Sequence, residues 1–299
     1  MTLRRSLPAT SAAGIVLATS ALAFARSASM PSGKTGFAPV NGLNLYYEIH
    51  GAGEPLILLH GGLGSTAMFD QLVPLFAKTR RVITADLQAH GRTADIDRPI
   101  TCEAMADDIA GLMKNLHLEK ADIMGYSLGA GTALQTTIRH PELIRKLVIV
   151  STVFKRDGWY PEVLAAMAQM GPAAAEMMKP SPIYQVYSRV APRPQDFPAL
   201  VTKVADLLRK DYDWSKDIAT IKSPTMIVFG DADAIRPAHM VEFFGLLGGG
   251  IRDAGWDGSG MSSARLAILP GVTHYNMLQS QLLATVVASF LDLPAAGTK

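Results

Sequence analysis

Three residue types, in a fixed chain order, are placed to carry out nucleophilic chemistry. They are a serine at 127, an aspartate at 231 or 233, and a histidine at 274. Gly125-Tyr126-Ser127-Leu128-Gly129 reads G-x-S-x-G. The apolar Asp122 to Met124 before it has strand character, and Leu128 to His140 after it has helical spacing, ended by Pro141. A serine between strand and helix, with glycines on both sides, fits a sharp turn that exposes its hydroxyl at the strand tip. The helix N-terminus and the Leu128 N–H can then stabilise negative charge developing on a carbonyl oxygen.

A serine hydroxyl is a weak nucleophile without a base. Of the seven histidines, His274 is best placed, because it follows the last apolar strand and Pro270-Gly271 and precedes the final helix. His60 and His90 each precede a glycine in loops upstream of the serine. His50, His117, His140 and His239 fall at element ends or on helices and read as surface or core residues. An acid that orients the histidine should follow a late strand, as Gly230-Asp231-Ala232-Asp233 does. Asp231 stands near the strand tip and can cap the turn. Asp233 lies further into the loop, where it can reach His274, but spacing alone leaves both aspartates open.

The elements that must position these groups alternate in type. Leu43 to Ile49, Pro55 to Leu59, Arg81 to Ala85, Asp122 to Met124, Leu147 to Val150, Thr225 to Phe229 and Leu266 to Leu269 read as strands. Ser65 to Phe76, Thr101 to Leu116, Leu128 to His140, Pro237 to Leu247 and Leu278 to Leu291 read as helices. Short strands alternating with helices predict βαβ units and a mostly parallel sheet covered on both faces. No internal repeat is visible.

Two stretches interrupt the alternation. Residues 153–215 are rich in proline, methionine and aromatics, and depart from the C-terminal end of a strand. That edge is where open α/β sheets bind ligands, so the insertion is expected to overhang the site as a small helical cap. Gly248 to Ser263 (GGGIRDAGWDGSGMSS) follows a helix and precedes a strand, which places it at the opposite edge. A phosphate cradle runs from strand to helix, so this segment is read as a surface loop.

Totals bound the class. A chain of 299 residues with 48% apolar content can bury a large core, and 18% charged residues without a long charge run argue against disorder and a nucleic-acid partner. Residues 1–25 read as an export signal, with Arg4 and Arg5, an apolar run from Ala12 to Ala25, and Ala23-Phe24-Ala25 as a cleavage pattern. The run is shorter than the roughly 20 residues of a membrane span. The expected location is periplasmic or secreted, with residues 26–36 a flexible tether, 37–152 and 216–299 the core, and 153–215 the cap. Cleavage removes two of the 28 lysines and arginines and none of the 26 acids, so the remaining body is neutral and has no charge for an anionic partner. Cys102 is the only cysteine, excludes an intramolecular disulfide, and reads as a buried structural thiol.

With these motifs assembled, the chain resembles the α/β-hydrolases, in particular the esterase, lactonase and meta-cleavage-product hydrolase group. The resemblance runs from about Gly42 to the end, apart from Gly248 to Ser263. It rests on H-G-G at His60, D-x-x-x-H-G-R from Asp86 to Arg92, G-Y-S-L-G at Ser127, G-D-x-D-x-x-x-P from Gly230 to Pro237, and P-G-x-x-H ending at His274. Gln88 and the glycine-rich insertion depart from the pattern.

The resemblance implies an eight-stranded sheet with a helical cap and a catalytic order Ser127, Asp233, His274. It favours the second aspartate of G-D-x-D, treats Asp86 and His90 as structural, and assigns a second oxyanion donor to the loop after His60. Gly62 is the first choice for that donor beside Leu128, with Leu63 next. Leu63, Tyr126 and Trp159 are the candidate substrate contacts. The expected substrate is a small, mainly apolar, uncharged ester or lactone, with no metal or organic cofactor. A C–C hydrolase or perhydrolase using the same triad, or a ligand sensor that keeps the triad without turnover, remain open alternatives. The serine argues against dehalogenase and epoxide-hydrolase relatives, which carry aspartate there, and Leu63 argues against the H-G-G-P-G iminopeptidase pattern.

Overall fold

A computed structural model describes residues 33–294. The export signal assigned to residues 1–25 lies outside them. Among the described residues, eight strands form one sheet: β1 Lys34–Val40, β2 Leu43–His50, β3 Glu54–Leu59, β4 Arg80–Ala85, β5 Ala121–Tyr126, β6 Ile144–Val150, β7 Thr225–Ala232 and β8 Ala264–Thr273. Their spatial order is β1-β2-β4-β3-β5-β6-β7-β8. β1 with β2 and β2 with β4 are antiparallel, and every other neighbouring pair is parallel.

Among the described residues, the ten α-helices are α1 Val73–Phe76, α2 Cys102–Asn115, α3 Leu128–Arg139, α4 Pro161–Ala168, α5 Pro172–Met178, α6 Pro182–Val190, α7 Phe197–Arg209, α8 Ser215–Ile218, α9 Pro237–Leu246 and α10 Gln281–Leu291. Successive strand residues face opposite sides of a sheet. Ile57, Leu59, Ile123, Ile149 and Phe229 therefore pack towards α2, α3 and α9. Leu56, Leu58, Met124, Val148 and Val228 pack towards α1 and α10. Burial on both faces explains why the central strands read as unbroken apolar runs.

Three local expectations change. The tether assigned to residues 26–36 overlaps β1, which begins at Lys34 and pairs along β2 through the turn at Asn41 and Gly42. Both turn residues have positive φ, +46° and +83°, as a two-residue hairpin requires. The single helix expected over 65–76 is two short pieces, a 3-10 turn at Thr66–Phe69 and then α1. Pro74 cannot donate to the preceding turn, so the helix restarts with proline in its first turn. Finally, Pro270 and Gly271 lie inside β8 rather than after it, opposite a register shift at Gly230.

The segment between β6 and β7 holds α4 to α8, and the stretch with α4 to α7 is closed where Lys155 pairs with Asp213. Gly248 to Ser263 enters β8 at Ala264, opposite Thr225 at the start of β7. It thus reaches the sheet at the edge away from His274. At that same far edge Lys146 is buried and donates to the carbonyls of Phe290 and Leu291, which satisfies the C-terminal end of α10. Among the described residues, no helix is long and apolar enough to cross a membrane.

Candidate active site

The C-terminal ends of β3, β5, β6, β7 and β8 deliver His60, Ser127, Ser151, Asp233 and His274 to one edge of the sheet. Ser127 holds φ +53° and ψ −116°, a conformation that side chains rarely adopt. Its N–H donates to the Val150 carbonyl at 2.9 Å, and its own carbonyl accepts from Ala130 at 2.9 Å. The flanking glycines are sterically required. A β-carbon on Gly125 would overlap the Gly129 carbonyl, and one on Gly129 would overlap the carbonyls of Leu59 and His60.

His274 Nε2 lies 3.2 Å from the Ser127 hydroxyl oxygen, and His274 Nδ1 lies 3.1 Å from Asp233 Oδ1. A carboxylate accepts only from a protonated nitrogen, so Nδ1 carries the proton and Nε2 is free to accept from the serine. The Asp233 side chain is fully buried. Its Oδ2 accepts from the Ser151 hydroxyl at 2.6 Å and the Gly230 N–H at 3.1 Å, and its Oδ1 also accepts from Ala234 N–H at 2.7 Å. Burial alone would favour the neutral acid. The His274 imidazole, the Ser151 hydroxyl and the Gly230 N–H outweigh it and hold the carboxyl below its ordinary pKa. Asp231 is exposed and accepts the Gly271 N–H at 2.8 Å. Geometry therefore separates the two aspartates that spacing left open.

Besides Asp233 and Ser127, two aromatic residues hold the histidine. Tyr126 donates its hydroxyl to the His274 carbonyl at 2.6 Å and lies 5.3 Å from the imidazole, centroid to centroid. Trp159 meets the imidazole edge-on at 5.5 Å, and its backbone pairs with Ile235 beyond the acid. Tyr126 thus has its hydroxyl committed to the histidine loop, and Trp159 shields the imidazole from the cap side.

Gly62 and Leu128 are neighbours. A β-carbon on Gly62 would stand 3.7 Å from Leu128 and 3.6 Å from Val204 of α7. Among the described residues, neither the Gly62 nor the Leu128 N–H donates to a protein acceptor. The Leu63 N–H, by contrast, donates to His90 Nε2 at 3.0 Å. The second-choice oxyanion donor is thereby occupied and the first remains available.

Ser151 was not among the sequence candidates. The signal for it is positional, since it is the first residue after β6 and β6 lies between the strands that carry Ser127 and Asp233. Strand order is not written in the local sequence. Cys102 is buried, and burial pushes its thiol up to about 12, which leaves it protonated and inert. Among the described residues, no three histidine, cysteine, aspartate or glutamate side chains gather as a metal site.

Comparison with known proteins places the chain in a wider set of hydrolases. Residues 54–182 match a family model described as alpha/beta hydrolase fold. The chain is 31% identical over 210 residues to the pimeloyl-[acyl-carrier protein] methyl ester esterase of Neisseria meningitidis serogroup B, covering 64% of this chain and 79% of that one. It is 37% identical over 106 residues to the 2-hydroxymuconate semialdehyde hydrolase of Pseudomonas sp. strain CF600; that match spans 34% of this chain and only 38% of that protein. Among solved structures, the enol-lactonase from Burkholderia xenovorans LB400 superposes with a TM-score of 0.64 at 21% identity, over 86% of this chain and all of that one.

Proposed function

The chain belongs to the α/β-hydrolase family, and we propose that it is a serine hydrolase that cleaves a carboxylic ester or lactone through an acyl-enzyme. Its relatives are hydrolases, named for a methyl ester, a semialdehyde and an enol-lactone. The observation that carries the reading is the continuous hydrogen-bond path Ser127–His274–Asp233, with distances of 3.2 and 3.1 Å.

In the reaction His274 Nε2 takes the Ser127 proton as the hydroxyl oxygen attacks the substrate carbonyl. The carbonyl oxygen becomes an oxyanion, which the Leu128 and Gly62 N–H groups bind at about 3 kcal/mol each. Asp233 stays ionised and stabilises the imidazolium through Nδ1–H. The carbonyl reforms, the C–O bond to the leaving group breaks, and the alkoxide departs with the proton from Nε2. Water then enters, gives its proton to His274, and the same steps release the carboxylic acid and restore the serine.

Leu128 and Val204 stand against Gly62 of the glycine loop, which also carries Leu63, and Trp159 covers the histidine. These neighbours support an uncharged, mainly apolar substrate. The test is turnover of p-nitrophenyl acetate together with labelling by a fluorophosphonate. Ser127→Ala is expected to abolish labelling and lower kcat by about four or more orders of magnitude. A wild-type protein that neither labels nor turns over esters would overturn the reading.

A further inference from the structure

Two histidines outside the Ser127–His274–Asp233 path are wholly buried, and each reaches across to the other's loop. His60 opens the glycine loop after β3. Its Nε2 accepts the Leu87 N–H at 3.1 Å, and its Nδ1 donates to the Gly61 carbonyl at 2.8 Å. His90 lies in the loop after β4. Its Nε2 accepts the Leu63 N–H at 3.0 Å, and its Nδ1 donates to the Gln88 carbonyl at 2.8 Å. The two rings are 5.0 Å apart. A ring nitrogen that accepts an N–H bears no proton, so both are neutral Nδ1–H imidazoles. Burial supports that state, lowering His60 to about 4 and His90 to about 3. Asp86 adds a further stitch, since its carboxylate oxygens accept the Thr66 and Arg92 N–H groups at 2.7 Å each.

What this clasp holds is the backbone from Gly61 to Leu63. Leu63 sits at φ +59°, which a branched residue adopts only when its surroundings impose it. Its N–H is bound by His90, while the adjoining Gly62 N–H donates to no protein acceptor among the described residues. The glycine loop also lies against the serine, for a β-carbon on Gly61 would stand 3.4 Å from the Ser127 β-carbon. Without His90, the Leu63 N–H would be buried and unpaired. The loop could then relieve it by rotating the peptides that precede it.

We propose that His90, joined to His60 in a reciprocal clasp, is a positioning residue for the oxyanion hole: it binds the Leu63 N–H and so keeps the Gly62 N–H turned to the developing oxyanion. The proposal rests on the serine-hydrolase reading above. It concerns transition-state binding and not merely folding, because the two amides it distinguishes are adjacent and only one can face the site.

The test compares two polar replacements in the full chain. In His90→Gln the side-chain carbonyl can still reach the Leu63 N–H. In His90→Asn the shorter side chain can keep the Gln88 contact but not the Leu63 contact. Rates on p-nitrophenyl acetate are normalised to the sites titrated by a fluorophosphonate, so that misfolded protein is not counted. His90→Asn is expected to lose about 30-fold in kcat per titrated site with KM within about twofold, and His90→Gln to stay within about threefold of wild type. Affinity for phenylboronic acid, whose serine adduct carries a tetrahedral anionic oxygen, should fall with kcat. Equal rates per titrated site in both variants, or loss of thermal stability alone, would overturn the clasp and leave the serine hydrolase standing. A wild-type protein without titration or turnover would remove both.

Discussion

Ser151 shows how much of this site depends on one hydroxyl that no motif announces. It holds φ +50°, is fully buried, and donates a hydrogen bond to the carboxylate oxygen that faces away from His274. A hydrogen bond to a charged group contributes about 1.5–3 kcal/mol. The Gly230 N–H remains on the same oxygen after the hydroxyl is removed. Ser151→Ala is therefore expected to lower kcat/KM about tenfold on a p-nitrophenyl ester. Ser151→Gly should lose the same activity yet melt at a higher temperature than the alanine variant, because glycine adopts the positive φ without strain. If the two variants differ in activity as they do in melting temperature, backbone strain and not the hydroxyl is responsible. The same scale explains why Asp231 and Asp233 could not be told apart from spacing. β7 runs on through Asp231 to Ala232 before turning, which leaves Asp231 outside and delivers only Asp233 to the buried side.

Between β5 and α3 the chain has no spare volume. The overlaps at Gly125 and Gly129 are with backbone carbonyls, which cannot rotate aside as a flexible side chain does. Gly125→Ala should therefore destabilise the protein by about 3 kcal/mol or more, a large part of a typical total. The measurement is the urea unfolding midpoint alongside fluorophosphonate labelling. Gly245→Ala in α9 is the internal control, since its β-carbon would meet nothing within 4 Å and alanine is the better helix former by about 0.5–1 kcal/mol. A Gly125→Ala protein as stable as the Gly245→Ala protein would contradict the steric account. Elements of this kind were legible because their residues are unusual, whereas β1 was not. Lys34 to Gly36 read as tether by composition and become strand only through pairing with Tyr47, Glu48 and Ile49. Pro74 is the visible signal in the sequence that residues 65–76 form two short pieces and not one helix.

Over the whole molecule, buried neutral histidines make stability depend on pH. Burial lowers His60 and His239 to about 4 and His90 to about 3. In the unfolded chain these groups take up protons below about 6.5. Their stabilisation is full above that pH and is lost as pH falls towards the folded values, by about 2 kcal/mol per histidine at pH 5. Asp86 acts with the opposite sign, because burial pushes it up to about 6 and the folded protein binds its proton more readily. It offsets about 1.4 kcal/mol at pH 5. The urea midpoint is expected to fall between pH 7 and pH 5, by a few kcal/mol in unfolding free energy. A midpoint unchanged across that interval would show that the histidines are not held neutral.

The linear chain was sufficient for the alternation of strands and helices, the serine turn and the histidine after the last strand. Each of these is encoded locally, in apolar periodicity or in glycines that fit one kind of backbone. It was not sufficient for the strand order that sets Ser151 between Ser127 and Asp233, or for the exposure that divides Asp231 from Asp233. Nor did it reveal the exchange of hydrogen bonds by which His60 binds the Leu87 N–H and His90 binds the Leu63 N–H. These depend on which backbone groups are brought together and shut away from water, and residues 27 to 147 positions apart in the chain meet only when the sheet closes.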